Sequence, residues 1–233
     1  MKTASLYVDY IYLDTDERRR FAQSSHEYLI QQLQFTGEES ITGVKYKQKL
    51  SFNHPVSELI WVVQDDDMTL DAATYPAATS KPGKQWFNFT DNDEPAPASA
   101  GADWNGAGAA GGTLALQSSV LLGKGENPVE RCKIQLNGHD RFSERDGRYF
   151  NLVQPFQHHE NVPSAGINVY SFALKPEQHQ PTGTCNMSRI DTATLSVDLV
   201  PTLASKNTKI RTFAINYNVL RIMSGMGGLA FAS

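Results

Sequence analysis

Two periodicities divide the chain. Residues 5–13, SLYVDYIYL, are β-branched and aromatic and read as a strand. The next stretch changes to helical spacing: Phe21, Ala22, Ser25, Tyr28, Leu29 and Leu33 recur at i, i+3 and i+4, which predicts a helix over 16–34. Asp14 with Glu17 three residues later has the form of a capping box, with Asp in place of Ser or Thr. Gly37 in FTGEES ends the pattern. Beyond it, VKYKQKLSF alternates, with Val44, Tyr46, Leu50 and Phe52 on one face and Lys45, Lys47 and Lys49 on the other, a half-buried antiparallel strand. HPVSELIWVVQ follows with a continuous apolar run from Leu59 to Val63, which predicts burial on both faces, and Pro55 suits its first position.

Residues 65–115 break the alternation. They are dense in Ala, Gly, Pro, Asp and Asn and form a connection far longer than compact domains usually carry. Trp86, Phe87, Phe89 and Trp104 are the residues able to pin it to the body. Strand patterns resume at LQSSVLLG, at ERCKIQL (Cys132, Ile134 and Leu136 on one face), at INVYSFAL, at TATLSVDLV and at IRTFAINYNVLRIM, while RDGRYFNLVQPF has room for a short helical turn. About eight strands with turn-rich connections and one helix predict an all-β, antiparallel jelly-roll sandwich.

With 40% hydrophobic and 20% charged residues, the 233-residue chain has an ordinary globular composition and is long enough to bury a core without disulfides. A net charge of −4 gives no general electrostatic case for nucleic-acid binding, although a local basic patch stays open. Cys132 and Cys185 are far apart and form no CxxC, which favours two buried free thiols over a disulfide. The first twenty residues lack the uninterrupted apolar core of a signal peptide, so a reducing compartment is expected. No apolar run reaches membrane-spanning length.

Candidate chemistry centres on QPFQHHENVPSAGINVYSF, where His158, His159 and Glu160 are adjacent. On an extended strand the two histidines point to opposite faces and cannot share an ion. His139 and His179 could join one of them only through the fold, and no HxH or HExxH is present. Hydrogen bonds to backbone around a turn are the simpler role. The carboxylates Asp65, Asp66, Asp67 and Asp71, and Asp91, Asp93 and Glu94, lack the glycine and terminal glutamate of a calcium loop. Glu58 and Asp198 could be set as a glycosidase pair, but nothing marks them out. No catalytic, cofactor-binding or metal site is assigned. Sequons occur at Asn88 and Asn186, and both are expected to be unused.

The stretch 137–195, NGHDRFSERDGRYFNLVQPFQHHENVPSAGINVYSFALKPEQHQPTGTCNMSRIDTATL, closely resembles the C-terminal jelly roll of the major capsid proteins of nucleocytoplasmic large DNA viruses, the iridovirus and phycodnavirus group. DERRRFAQSSHEYLIQQLQ (16–34), HPVSELIWVV (54–63) and NYNVLRIMSGMGGLAF (216–231) extend the resemblance over most of the chain outside 65–115. The resemblance implies a structural virion protein without catalysis or cofactor. Its subunit is a double jelly roll that trimerises into pseudo-hexameric capsomers and tiles an icosahedral shell with minor capsid proteins, after assembly in the host cytoplasm. It makes the histidine-rich stretch a structural signature that needs no metal.

Family members are about twice this length, consistent with a single sandwich being one domain's worth here. Residues 1–36 would then be the last strand of an absent first jelly roll plus a linker helix, and 37–233 the C-terminal jelly roll with its insertion 65–115 on the outer surface. The chain is accordingly expected to be a fragment, a short gene product or one piece of a split gene, with an N-terminal jelly-roll partner, since a strand without its sheet leaves an unpaired edge. The alternative reading is a single jelly-roll module that stacks glycans on Trp86 and Trp104; an enzyme ranks third.

Overall fold

The structure is a computed structural model that describes residues 3–69, 86–91, 125–203 and 205–231. Its elements run α1 (Thr15–Gln23), β1 (His26–Ile41), β2 (Lys45–Leu50), β3 (Pro55–Asp65), α2 (Asp66–Thr69), β4 (Val129–Leu136), β5 (His139–Asp140) and β6 (Arg145–Asp146). A π-helical turn (Tyr149–Val153) leads into α3 (Gln154–His158), followed by β7 (Ile167–Ser171), β8 (Cys185–Asn186), β9 (Ala193–Leu199), β10 (Thr208–Met223) and β11 (Met226–Leu229).

The main strands pair in a nested order. β1 lies beside β10 and β3 beside β7 in one sheet, ordered β1-β10-β3-β7; β2 lies beside β9 in the other, ordered β2-β9-β4-β5. The two arms of the chain therefore pair from the outside inward while successive strands change sheets. That is the wrapping of a jelly roll, as the alternating patterns predicted. Contacts divide the chain into two units: residues up to Gln32 with those from Tyr217 onward, and Leu33–Asn216.

In the first unit, β10 turns back into β11 with Leu220 opposite Leu229 and Met223 opposite Met226. Asn218 donates to the side chain of Gln32 and to the carbonyl of Phe231, both at 2.9 Å. Arg221 grips Glu27 at 2.6 Å. Asp14 caps α1, its carboxylate accepting from the Glu17 N–H at 2.9 Å.

Two expectations for this region are corrected. The helix predicted over 16–34 ends at Gln23, and from His26 the chain is a strand. The apolar residues that suggested a continuing helix are not core residues: Leu33 is 64% exposed and Tyr28 45%. Pairing with β10 decides the conformation, and tertiary pairing overrides local propensity. Residues 5–13 have strand composition but adopt no strand, because no described strand lies beside them.

In the second unit, Val56, Leu59, Trp61 and Val63 of β3 pack between the sheets against Cys132 and Ile134 of β4, Leu195, Val197 and Leu199 of β9, and Ile210 and Ala214 of β10. The aromatic centre is Trp61 against Phe150 with ring centroids 5.2 Å apart, and Phe142 bridges Phe150 to Tyr170. A polar tie also crosses this core: Thr212 on β10 donates to Gln48 on β2 at 2.6 Å, both fully buried, and Gln48 donates in turn to Glu39. Cys132 is buried, Cys185 half-buried, and both are free thiols. The predicted strand LQSSVLLG and most of the 65–115 connection lie outside the described residues.

Candidate functional site

The histidine-rich stretch is built from β3 outward. β3 pairs with β10 with Ile215 opposite Glu58 and Asn216 opposite Val56, so Ser57 is an extra residue, a β-bulge. The bulge resets the alternation. Val56 and Leu59 both face the core, and Glu58 is left on the far side of its sheet. Ser57 fixes the bulge by donating its hydroxyl to the Ile215 carbonyl, while its own carbonyl accepts from Phe172 at 2.8 Å.

Over Glu58 lies the segment that leaves α3. Pro155 sits in the first turn of α3, where its missing N–H costs nothing, and the His159 N–H closes the helix on the Pro155 carbonyl. His158 and His159 therefore end a helix and are not on a strand, which corrects the extended geometry expected for them. His158 Nδ1 meets the Leu174 carbonyl at 3.0 Å, the backbone bond expected of a histidine at a turn. His159 does something else: its Nε2 lies 2.6 Å from Glu58 Oε2, with side chains 11% and 7% exposed. The hydrogen bond to Glu58 raises the His159 pKa above the ordinary imidazole range; the charges of Glu58 and Glu177 add to this, and burial opposes it. Glu177 also accepts from the Glu160 N–H at 3.0 Å, closing the corner.

Four side-chain amides complete it. Asn127 and Asn168 exchange hydrogen bonds, and Asn127 also donates to the Gly147 carbonyl. Asn151 of the π-helical turn donates to the carbonyls of Ser164 and Ile167, and Gln154 accepts from the Ser171 N–H while donating to the Tyr149 hydroxyl. Since β7 ends its sheet, Asn151 and Gln154 satisfy backbone groups that an edge strand would otherwise leave open. Gly166 is required at the entry to β7: its φ is +90°, and a Cβ there would overlap the carbonyl of Phe89.

The arrangement suits holding a loop, not turning over a substrate. Glu58 and Asp198, the pair weighed as glycosidase acids, lie in different sheets, Glu58 engaged by His159 and Asp198 by Lys45 at 3.1 Å. Asp65 is buried against Lys206 at 2.8 Å and Asp66 pairs with Lys209 at 3.1 Å. Asp91 accepts from the Glu126 N–H. His139 and His179 are exposed, and among the described residues no group of three metal-ligating side chains converges. Trp86 is 57% exposed, while Trp104, Asp71, Asp93 and Glu94 lie outside the described residues. The bond from His159 to Glu58, 101 residues away in sequence, was not predicted; the one signal for it was an acid directly before the apolar run Leu59–Val63.

Comparison with known proteins places these features in a family. The family described as large eukaryotic DNA virus major capsid protein matches residues 17–228. The chain is 49% identical to the major capsid protein of Phaeocystis pouchetii virus, over 100% of this chain and 54% of the relative. It is 42% identical to that of Paramecium bursaria Chlorella virus 1, over 99% of this chain and 54% of the relative. The chain thus spans about half the length of the curated relatives it matches. Among solved structures, a quasi-atomic model of the PBCV-1 virus capsid superposes with a TM-score of 0.65 at 38% identity, covering 96% of this chain and 56% of that one. The Faustovirus major capsid protein shares the fold at 13% identity, with a TM-score of 0.56 and coverage of 89% and 35%.

Proposed function

The chain belongs to the major capsid protein family of large eukaryotic DNA viruses, and from that premise we propose that it is a structural component of the virion shell and catalyses no reaction. The family match from 17 to 228 carries the reading, because it takes in the whole nested sandwich and the histidine corner together. The corner fits a structural part: its acid, the Nε2 of its histidine and its amides are engaged in bonds that fix α3 and β7.

In this reading the sandwich contributes to a capsomer of three copies, which meets other capsid chains and minor capsid proteins, with assembly in the host cytoplasm. The residues ahead of β1, up to Ser25, join it to a second jelly roll. Leu6, Tyr7, Ile11 and Tyr12 are each at least 85% exposed, and burying such residues as a strand of another sheet would remove a large apolar surface from water. The relatives carry about as much chain again as this one, room for that second sandwich.

The test is native mass spectrometry over a concentration series, with the chain alone and with the portion of a relative that it does not cover. A three-copy assembly in either condition is expected. Monomers in both would overturn the reading.

A further inference from the structure

The outward face of the second sheet carries its charge in rows. The strand register sets Lys45, Asp198 and Arg131 side by side across β2, β9 and β4, then Lys47, Ser196 and Lys133, then Lys49, Thr194 and Gln135. Three of the cations have partners: Lys45 with Asp198, Lys133 with Asp140 at 3.5 Å, and Arg131 with Glu144 at 3.7 Å. Lys47 and Lys49 are exposed, and among the described residues no carboxylate lies within ion-pair distance of either. Between Lys47 and Lys133, the buried Ser196 hydroxyl finds no hydrogen-bond partner among the described residues.

Lysines on an edge strand are a usual defence against unwanted strand pairing, and that accounts for those of β2. It does not account for Arg131 and Lys133, because β4 is an interior strand with β9 on one side and β5 and β6 on the other. The face itself is basic, on a chain whose net charge is −4. At the far end of the Lys45 row, where Glu130 precedes Arg131 on β4, the balance reverses. Glu126, Glu130 and Asp146 line an open cleft of about 450 Å³. Arg148, its cation, is already held by Asp146 at 3.2 Å.

We propose that the basic face around Lys47 and Lys49 is a contact surface for a second copy of this chain, whose acidic margin at Glu126 and Glu130 docks against it. The inference rests on the capsid reading, since it names surfaces through which copies would meet. Charge complementarity within one chain selects the occupant. The two surfaces differ, so the contact is heterologous, the kind that closes into a ring when the rotation allows. Alternate residues on β2 stand about 6.8 Å apart, so Lys47 and Lys49 can engage two carboxylates at once.

Sedimentation velocity on the full chain, over a concentration and salt series, tests it. Wild-type association should weaken as salt rises from about 0.05 to 0.5 M, where screening shortens from beyond 10 Å to a few ångströms. K47E/K49E and E126K/E130K should each weaken it roughly tenfold. The chain carrying all four changes should regain it, because the charges are exchanged and not removed. Unchanged thermal melting would show that these exposed substitutions leave the fold intact. Association indifferent to salt and to both variants overturns the contact and leaves the capsid reading standing. Failure of the four-fold variant to recover also overturns it. So does a wild-type chain that stays monomeric at low salt; the capsid reading is then decided by co-assembly with the rest of a relative.

Discussion

Replacing His159 by Gln tests whether the pair with Glu58 holds α3 on the sheet. Both side chains are about nine-tenths buried, and His159 Nε2 and Glu58 Oε2 are 2.6 Å apart. Removing one member leaves the other as an uncompensated buried charge, a loss of about 3–5 kcal/mol. For a chain of 233 residues that lowers Tm by ~10 °C. Glu58→Gln keeps an acceptor for Nε2–H and loses only the charge, so it should cost less, about 1.5–3 kcal/mol. The pH dependence has a fixed sign. The folded His159 pKa lies above that of the unfolded chain, so the charged pair contributes fully below the unfolded value of about 6.5 and fades as pH climbs through the raised folded value. Urea denaturation of wild type, His159→Gln, Glu58→Gln and the double variant from about pH 6 to 9 would show this. The gap between wild type and His159→Gln should be widest at the acid end and narrow upward. A loss below about 1 kcal/mol that ignores pH would refute the charged pair.

Other expectations follow from the same contacts. Gly166→Ala should destabilise by roughly 1–3 kcal/mol in thermal melts, through its positive φ and the Phe89 carbonyl, while Gly228→Ala, with open space around it, should change little. Phe150→Ala removes the ring that Trp61, Phe142 and Tyr149 share and should cost about 3–5 kcal/mol by denaturation. Tyr46, raised to about 12 by burial and by its bond to Glu39, should ionise after ordinary tyrosines in an absorbance titration, and Tyr46→Phe should delete that late step. Thiol reagents at neutral pH should reach half-buried Cys185 well before Cys132, whose thiol burial pushes far up; equal rates would contradict the packing.

The strands legible in sequence are those whose inward positions are apolar. β9 alternates Ala193, Leu195, Val197 and Leu199 inward, and β2 shows Lys45, Lys47 and Lys49 outward. β1 defeats the same logic because most of its inward positions between Ile30 and Ile41 are polar. Gln34 exchanges two hydrogen bonds with the Asn53 backbone, Glu39 accepts from Tyr46 and Gln48, and Gln32 accepts from Asn218. A strand satisfied by hydrogen bonds shows no hydrophobic period, and the leftover Tyr28, Leu29 and Leu33 happened to fit a helical one.

The histidine corner was half legible for a related reason. That RDGRYFNLVQPF holds a short helical turn could be read locally, and so could a backbone bond for one histidine, because each depends on near neighbours. The partner of His159 could not. Glu58 reaches it only because Ser57 is bulged, and the bulge shows only when Ile215 and Asn216 are laid against β3. Without the extra residue Glu58 would share the face of Val56 and enter the core; with it, the acid lies under α3 where one buried histidine can answer it. The bulge, the acid and the histidine thus depend on one another, since the bulge aims Glu58 at His159, while Asn151 and Gln154 separately satisfy the open backbone groups of β7.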